Sequence, residues 1–236
     1  MNDRERWSSL LADAAKERVS RPGRICQLCV ELLSVTGAGI SMVTTTGNRG
    51  IVCATDDISS RIEDLQLTLG EGPCVDAVQS GAPVLIPDLD QPGDVSVERW
   101  PAFMEGAAEA GVRAVFAFPL RVGAIRLGAL DLYRDEAGDL TDDQLFAALL
   151  AADGAAHALL HLNATEHDGF ADDVEARATY RLQVHQATGM VQVQLGIPTQ
   201  DAFLMLRARA FSTGRPLDVV ATDVVERRLR FSTEDQ

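Results

Sequence analysis

The sequence predicts an α+β domain, in which helices cover an antiparallel sheet, followed by an all-α bundle of three helices. In the first two thirds of the chain, β-rich runs occur as adjacent pairs joined by short turns, and helical segments separate the pairs. In the last third, helix stop and start signals recur at short intervals. A length of 236 residues has room for both units.

Five segments are expected along the chain. Apolar residues at helical spacing, from Trp7 to Ala15, predict a helix within residues 1–20. The α+β domain is predicted at 21–162, and a helical linker at 163–170. The three-helix domain is predicted at 171–231, and a short tail at 232–236.

Within the α+β domain, periodicity and turn residues place each element. Pro22 begins a helix, and β-rich runs at 39–45 and 50–55 flank turn residues, as in a hairpin. A Gly-Glu-Gly-Pro-Cys turn at 70–74 specifies an unusual backbone path before a short helix. The remaining predicted elements are a helix at 58–67, a strand at 83–87, a helix at 100–110, strands at 113–122 and 125–133, and a helix from Thr141 to about 163.

Helix caps define the bundle. A long helix begins near 172, after an interruption at Asp168-Gly169, and ends at Gly196, which suits a helix C-terminus. Thr199 is predicted as the N-cap of the second helix, which runs to about 211 and is followed by Gly214. Pro216 is predicted at the first position of the third helix.

The distribution of charge narrows the possible functions. The net charge is −14, but residues 177–230 contain eight Arg against four acidic residues. This local excess of positive charge is compatible with nucleic acid, as well as with an ordinary helical surface. Lys16 is the only lysine, so the folded domains lack a P-loop lysine, a Schiff-base lysine and the lysine of a receiver domain.

Composition also bears on location and metal binding. No apolar run is long enough to cross a membrane, and the charged N-terminus does not resemble a secretory signal, so we expect a cytoplasmic protein. Cys26 and Cys29 have C-x-x-C spacing, but no partner pair completes a zinc site, and we interpret them as core cysteines. We also predict no metal site at the histidines near residues 157–167.

The last third resembles the ANTAR domain of bacterial transcription antiterminators. The residues that carry this resemblance are Arg181, Val184, Gln186-Ala187, Gly189, Ala202, Leu206-Arg207 and the run 217–221. Position 188, often Lys in that family, is Thr188 here, and we expect this difference to remove a phosphate contact. The resemblance implies binding to stem-loop RNA in nascent transcripts, which prevents a terminator from forming.

The resemblance also suggests roles for individual residues. Arg181, Arg207 and Arg209 are expected to contact phosphates or base edges, and His185 and Gln186 to contact bases. Ala187 and Gly189 are small residues that permit close approach of RNA or of another helix; packing within the chain is the alternative explanation. For Arg209, the alternative is a solvated surface.

The first domain resembles the GAF domain, a small-molecule sensor module. The residues that carry this resemblance are the 70–74 turn, the strand ending Ile86-Pro87-Asp88, the strand start at 111–114 with Phe118-Pro119-Leu120, and the run 128–133. The implied role is sensory control of RNA binding. The residues of this domain favour none of three possible ligands, which are bilin, haem and a cyclic nucleotide, so the cofactor is not identified from the sequence.

Cys74 opens a second possibility, a redox signal. The start of a helix stabilises a thiolate, although Glu71 and Asp76 oppose this, and a structural cysteine is favoured. Some GAF domains reduce free methionine sulfoxide, for which Cys53 and Cys74 would have to meet at an open pocket. Because Cys53 lies in an apolar run, we predict that the protein is not an enzyme.

Two further expectations concern assembly and an alternative function. Consecutive long helices between the domains, with an apolar stripe near a seven-residue repeat, favour a homodimer. The outline of the bundle also fits a DNA-binding helix-turn-helix regulator. Against this alternative, the last helix carries Asp218, Asp223 and Glu226, which oppose insertion into a major groove.

Overall fold

A computed structural model describes residues 9, 22–43, 49–91, 99–162 and 173–232, with the backbone alone given for residues 49, 161, 162, 173–182 and 185. The chain forms two compact units. The predicted N-terminal helix (except Ser9), the linker with its Asp168-Gly169 interruption and nearly all of the tail lie outside the described residues. In the first unit, the described elements are α1 (Pro22–Leu33), β1 (Gly37–Val43), β2 (Arg49–Ala54), α2 (Asp57–Leu69), α3 (Pro73–Ser80), β3 (Val84–Ile86), α4 (Pro101–Glu109), β4 (Ala114–Val122), β5 (Ile125–Arg134) and α5 (Asp142–Leu162).

The five strands form one antiparallel sheet in the order β2-β1-β5-β4-β3. Strand β5 lies at the centre, where Leu130 pairs with Ile40 of β1 on one side and with Phe118 of β4 on the other. Helices cover the sheet, so the predicted α+β fold class is confirmed. The predicted strands at 113–122 and 125–133 match β4 and β5 to within one residue.

One face of the sheet packs against α1 and α5. Alternate residues of a strand point to opposite faces, and on this side lie the even-numbered residues from Ala114 to Leu120 of β4, together with Leu130 and Leu132 of β5. Both helices contribute apolar side chains to the same cluster, which includes Ile25 and Leu33 of α1 and the alanines of α5. The sheet residues in this core are Ile40, Phe116, Phe118, Leu120, Leu130 and Leu132.

The opposite face packs against α2, α3 and α4. The odd-numbered residues of the same strands point here and form two smaller apolar clusters, around Phe103 and Tyr133 and around Cys74 and Ala117. Because both faces are covered, β4 reads as a continuous apolar run rather than an alternating one.

The Gly-Glu-Gly-Pro-Cys turn between α2 and α3 serves the conformation of the backbone. Gly72 has a φ of 128°, which residues with side chains rarely adopt, and Pro73 is the first residue of α3. The backbone N–H of Cys74 donates to Gln66 Oε1 at 2.8 Å. Glu71 Oε1 accepts hydrogen bonds from two N–H groups at the start of α4. The turn therefore joins three helices, as expected from its sequence.

Arg134, at the end of β5, fixes the start of α5. Its guanidinium lies over the Phe116 ring and donates to backbone and side-chain oxygens from the end of α1 and from the segment that begins α5. Thr141 caps α5 as predicted: its Oγ1 accepts from the N–H of Gln144, whose side chain accepts from the N–H of Thr141. The acceptors of Arg134 are the carbonyl oxygens of Leu33, Ser34, Gly138 and Asp139, and Gln144 Oε1.

The second unit consists of α6 (Asp173–Leu195), α7 (Thr199–Thr213) and α8 (Leu217–Val225), each of which packs against the other two. Gly196 and Gly214 follow α6 and α7 with φ values of 66° and 60°, so both predicted helix C-termini are confirmed. Small and branched side chains fill the interior: Val184, Ala187, Val191, Ala202, Leu206, Ala210, Leu217, Val220, Ala221 and Val224.

The predicted starts of the last two helices were each wrong by one residue. Pro198 is the N-cap of α7, and Thr199 is its first helical residue, whose hydroxyl donates to Gln192 Oε1 at 2.9 Å instead of capping. Pro216 is likewise the N-cap of α8 rather than its first helical residue. Helix α7 therefore begins one residue earlier than predicted, and α8 begins one residue later. In both cases the N-cap is a proline with an extended ψ.

Candidate functional site

The middle of α6 presents two different surfaces. Val184, Ala187, Thr188 and Val191 are buried in the bundle, whereas Gln186 is exposed. The burial of Ala187 fits the alternative explanation given above, in which its small side chain permits helix packing within the chain.

Gly189 differs from Ala187 because the bundle does not require it. It is half-buried, and a Cβ added at this position would meet nothing within 4 Å. Glycine inside a helix costs roughly 1 kcal/mol relative to alanine. Gly189 thus leaves open space on the outer surface of α6, one turn after the exposed Gln186.

Thr188 faces the interior of the bundle. Its Oγ1 donates to the carbonyl oxygen of Val184 at 2.7 Å, which satisfies the hydroxyl within the helix. The buried hydroxyl of Thr188 agrees with the expectation that this position makes no phosphate contact here.

Glutamines of α6 connect the three helices. Gln183, Gln192 and Gln194 accept hydrogen bonds from Thr222, Thr199 and the backbone N–H of Phe231, at 3.1, 2.9 and 2.9 Å. These contacts hold the start of α7, the middle of α8 and the chain after α8 against α6. Gln186 points to solvent instead, which makes it the glutamine of this segment best placed to contact a ligand.

The predicted arginines lie at different places on the bundle. Arg207 and Arg209 are half-buried, and their guanidinium groups lie 5.9 Å from the ring centres of Phe203 and Phe231. These cation–π contacts orient both side chains along the surface. The side chains of Arg181 and His185 lie outside the described part of the chain.

Asp223 of α8 is paired with two arginines. Its carboxylate contacts Arg215 at 2.5 Å and Arg228 at 2.7 Å, and these hydrogen bonds hold its pKa below the usual range. Asp223 is thus not an isolated negative charge on α8, which weakens the objection that it raises against insertion of this helix into a major groove.

The first unit contains a buried polar cluster on the sheet face that packs against α2, α3 and α4. Glu63 and Gln66 of α2 meet Asp131 of β5, and Gln66 Nε2 donates to Asp131 Oδ2 at 3.3 Å. Asp131 pairs across the sheet with Gly39, where an added Cβ would lie 2.5 Å from Glu63 Oε1. The glycine therefore leaves the room that the Glu63 carboxyl occupies.

This environment raises the pKa of Glu63. Burial raises its pKa well above the ordinary value, and the charge and hydrogen bond of Asp131 raise it further. This cluster was not predicted from the sequence. One feature of the sequence does indicate it: Asp131 is an acidic residue within an apolar strand. It shares a face of the strand with Ala129 and Tyr133, which are both buried.

Asp56 lies at the beginning of α2, and its pKa is lowered, whereas that of Glu63 is raised. It caps the helix by accepting from the N–H of Ser59 at 2.8 Å, and the hydroxyl of Tyr133 donates to it at 2.6 Å. Burial alone would raise the pKa of Asp56, but the hydrogen bonds from Tyr133, Ser59 and Thr55 together lower it.

All four cysteines are buried. Cys74 is 2% exposed within an apolar cluster, which fits the structural cysteine favoured above rather than a redox-sensing thiol, because such a thiol must be accessible. The sulfurs of Cys26 and Cys53 form a hydrogen bond at 3.3 Å. This bond is the larger cause, and burial the next, of the raised pKa of Cys26. Burial likewise raises the pKa of Cys29 to about 12. The prediction that Cys26 and Cys29 are core cysteines is confirmed.

The described residues contain no cluster of three or more His, Cys, Asp or Glu side chains suited to a metal ion. No helix among them has the length and apolar character needed to span a membrane.

Comparison with known proteins identifies both units. A model of the GAF domain matches residues 23–160, and a model of the ANTAR domain matches residues 172–225. No curated protein sequence matches the chain.

Solved structures share the fold of the first unit. The GAF domain of the Acinetobacter phosphoenolpyruvate-protein phosphotransferase is 9% identical, with a TM-score of 0.53 over 70% of this chain and 97% of that one. The corresponding GAF domain from Coxiella burnetii is 13% identical, with a TM-score of 0.53 over 69% of this chain and 95% of that one. At this identity the likeness shows the fold alone.

The family matches agree with the geometry of both units. The GAF match covers the five-stranded sheet and its helices, and the ANTAR match covers most of the three-helix bundle. Both domains are regulatory modules. The chain therefore belongs to the GAF domain family and carries an ANTAR domain after its GAF domain.

Proposed function

We propose that the protein is an RNA-binding transcription antitermination regulator, in which the GAF domain senses a signal and controls binding of the ANTAR domain to stem-loop RNA in nascent transcripts. The observation that carries this proposal is the outer surface of α6. Within the segment that matches the ANTAR domain, Gln186 is exposed and Gly189 leaves open space beside it, while Ala187 and Thr188 are buried. An exposed amide next to an open stretch of helix suits hydrogen bonding to an unpaired base.

In this proposal the GAF domain acts as a sensor rather than an enzyme. Burial of Cys53 and Cys74 supports this assignment, because a thiol-dependent reductase needs both at an accessible pocket. The signal is a small molecule that alters the packing of α2, α3 and α4 against the sheet. The protein acts in the cytoplasm as a homodimer, which sedimentation velocity tests directly by its mass.

The first experiment is a gel-shift titration of the full chain against two-stem-loop leader RNA from its own genome, with loop-mutated RNA and duplex DNA of matched length. Loop-dependent binding supports the proposal, whereas preference for the duplex DNA favours the helix-turn-helix alternative. Binding should weaken about tenfold in Gln186→Ala, because an amide contact to a base edge contributes on the order of 1–3 kcal/mol. Gln79→Ala, an exposed glutamine on α3 of the other unit, is the matched control.

Gly189→Ala separates binding from folding. Alanine should stabilise α6 by up to about 1 kcal/mol, since no atom obstructs its Cβ. If RNA approaches Gly189, the same substitution weakens RNA binding although the bundle is more stable. A variant that is stabilised and binds RNA as well as the wild type would remove Gly189 from the interface.

A further inference from the structure

The outer surface of α7 carries a large aromatic side chain that the bundle does not cover. Phe211 is 62% exposed and Leu204, two turns earlier on the same side of the helix, is 53% exposed. Phe203 of the same helix is buried, so α7 has one aromatic ring inside the bundle and one outside. Single exposed apolar residues are common, so the surroundings of Phe211 decide how this ring is interpreted.

These surroundings are cationic and rich in hydroxyl groups. Arg207 lies one turn before Phe211, Arg215 follows four residues after it, and no acidic residue occurs between the two arginines. Ser212 and Thr213, next to the ring, are exposed. The acidic group that faces this end of α7 is Asp223, which Arg215 and Arg228 pair with. Phe211 is therefore flanked in the sequence by an arginine on each side, with no acidic residue between them.

We propose that Phe211 is a stacking platform for an unpaired base of the RNA loop, with Arg207 and Arg215 contacting the adjacent phosphates. This inference rests on the proposed RNA-binding function and assigns a second surface of the bundle to it. A flat aromatic ring on a basic surface is the usual means by which proteins hold splayed bases, because every base has a face that can stack. Phe211 is not one of the residues that carry the ANTAR resemblance, so the role proposed for it is inferred from its exposure and its neighbours.

Charge argues against a second copy of the chain as the occupant of this surface. A twofold contact places the same surface on both protomers, so the Leu204–Phe211 surface of one copy would face its equivalent. The arginines at 207 and 215 would then meet like charges, which disfavours association. RNA supplies the complementary negative charge.

The test uses full-length protein and an RNA hairpin selected from a pool with a fixed stem and a randomised loop, resynthesised with 2-aminopurine at each loop position in turn. Phe211→Leu keeps an apolar side chain but removes the ring, and Phe211→Tyr keeps the ring. We expect Phe211→Leu to weaken binding roughly 5- to 150-fold and to abolish quenching at one loop position, while Phe211→Tyr binds within about threefold of the wild type. Because stacking is not ionic, the slope of log K against log salt should be the same in both variants.

Val193→Ala is the control, since Val193 of α6 is 83% exposed and lies on another surface of the bundle. Failure of the wild type to select or bind any hairpin would overturn the proposed function and this inference with it. Tight binding by the wild type and equal binding by Phe211→Leu would overturn this inference alone. A Phe211→Leu variant with an altered sedimenting mass and an unchanged RNA affinity would also overturn this inference, because Phe211 would then contact another protein chain rather than RNA.

Discussion

The two faces of the sensor sheet are built from the same strands but from different kinds of side chain. The even-numbered residues of β4 and β5, under α1 and α5, include Phe116, Phe118 and Leu130 and form one large apolar cluster. The odd-numbered residues, under α2, α3 and α4, include Val115, Ala117, Ala129, the acidic Asp131 and Tyr133. The first face is therefore covered by apolar side chains, whereas the second combines apolar side chains with buried polar groups.

This difference separates stability from responsiveness within a single sheet. Bulky apolar side chains gain the most from burial, whereas buried carboxyls cost free energy unless they are protonated or hydrogen-bonded. The first face thus anchors the domain, and the second is the face on which a bound signal can most readily change the packing of helices. Three measurements test this division.

The largest effect is expected from Phe118→Ala on the apolar face. Phe118 is fully buried, so truncation should lower the free energy of unfolding of the sensor unit by about 3–5 kcal/mol. Phe146→Ala on α5, where the ring is 38% exposed, should cost much less and is the matched control. Urea unfolding followed by the fluorescence of buried Trp100, in a Trp7→Phe background, measures both variants. If both substitutions lowered the free energy of unfolding by the same amount, the apolar face would not be the part of the sheet that anchors the domain.

A smaller effect, with a pH dependence, is expected from Glu63→Gln on the polar face. Because the pKa of Glu63 is raised in the folded state, the folded protein keeps a proton that the unfolded chain loses above a pKa of about 4.3. Its contribution to stability is therefore fully present at acid pH and declines as pH rises, by at most about 1.4 kcal/mol per pH unit. Glutamine, which never ionises, should remove this decline.

Urea titrations of the wild type and Glu63→Gln between pH 5 and 8 test this expectation. The variant should gain stability relative to the wild type as pH rises. Parallel pH profiles would show that Glu63 does not hold a proton in the folded state.

The smallest effect is expected from Asp56→Asn, at the start of the same helix. The folded-state pKa of Asp56 is lowered, so its stabilising contribution is present above the unfolded value of about 3.9 and is lost as pH falls. Asparagine still caps a helix but loses the charge-assisted hydrogen bond from Tyr133, so we expect a loss below about 1 kcal/mol at this exposed site. The loss should shrink on acidification, opposite to the trend for Glu63. A deficit that persists below pH 3 would contradict the expectation.

Much of the fold was predictable because its signals are local. Continuous apolar runs located β4 and β5, Thr141 with its nearby Gln144 started α5, and Gly196 ended α6, each through residues close in sequence. The error at Thr199 also has a local cause, since Pro198 and Thr199 compete for one cap position. Such competition is decided by the tertiary partner of the hydroxyl, Gln192.

The functional surfaces were less predictable because they depend on distant partners. Glu63 looks like a solvent-exposed helical residue until Asp131, far along the chain, is brought against it. Ala187 and Gly189 are both small residues in one motif, and the sequence alone could not tell that only the first is enclosed by the bundle. Phe211 carries no motif, and its exposure follows from the side of α7 that faces the other two helices.

The anchoring of α5 by Arg134 has a mechanical consequence. Arg134 joins the end of the central strand to the last turn of α1 and to the residues that begin α5, so the base of α5 follows the sheet. A helix of 21 residues is about 30 Å long. A tilt of about 10° at that base would displace the far end by about 5 Å, a lever ratio set by the 1.5 Å rise per residue. A small change of angle at the base of α5 thereby becomes a displacement of its far end that is about equal to the 5.4 Å pitch of a helix.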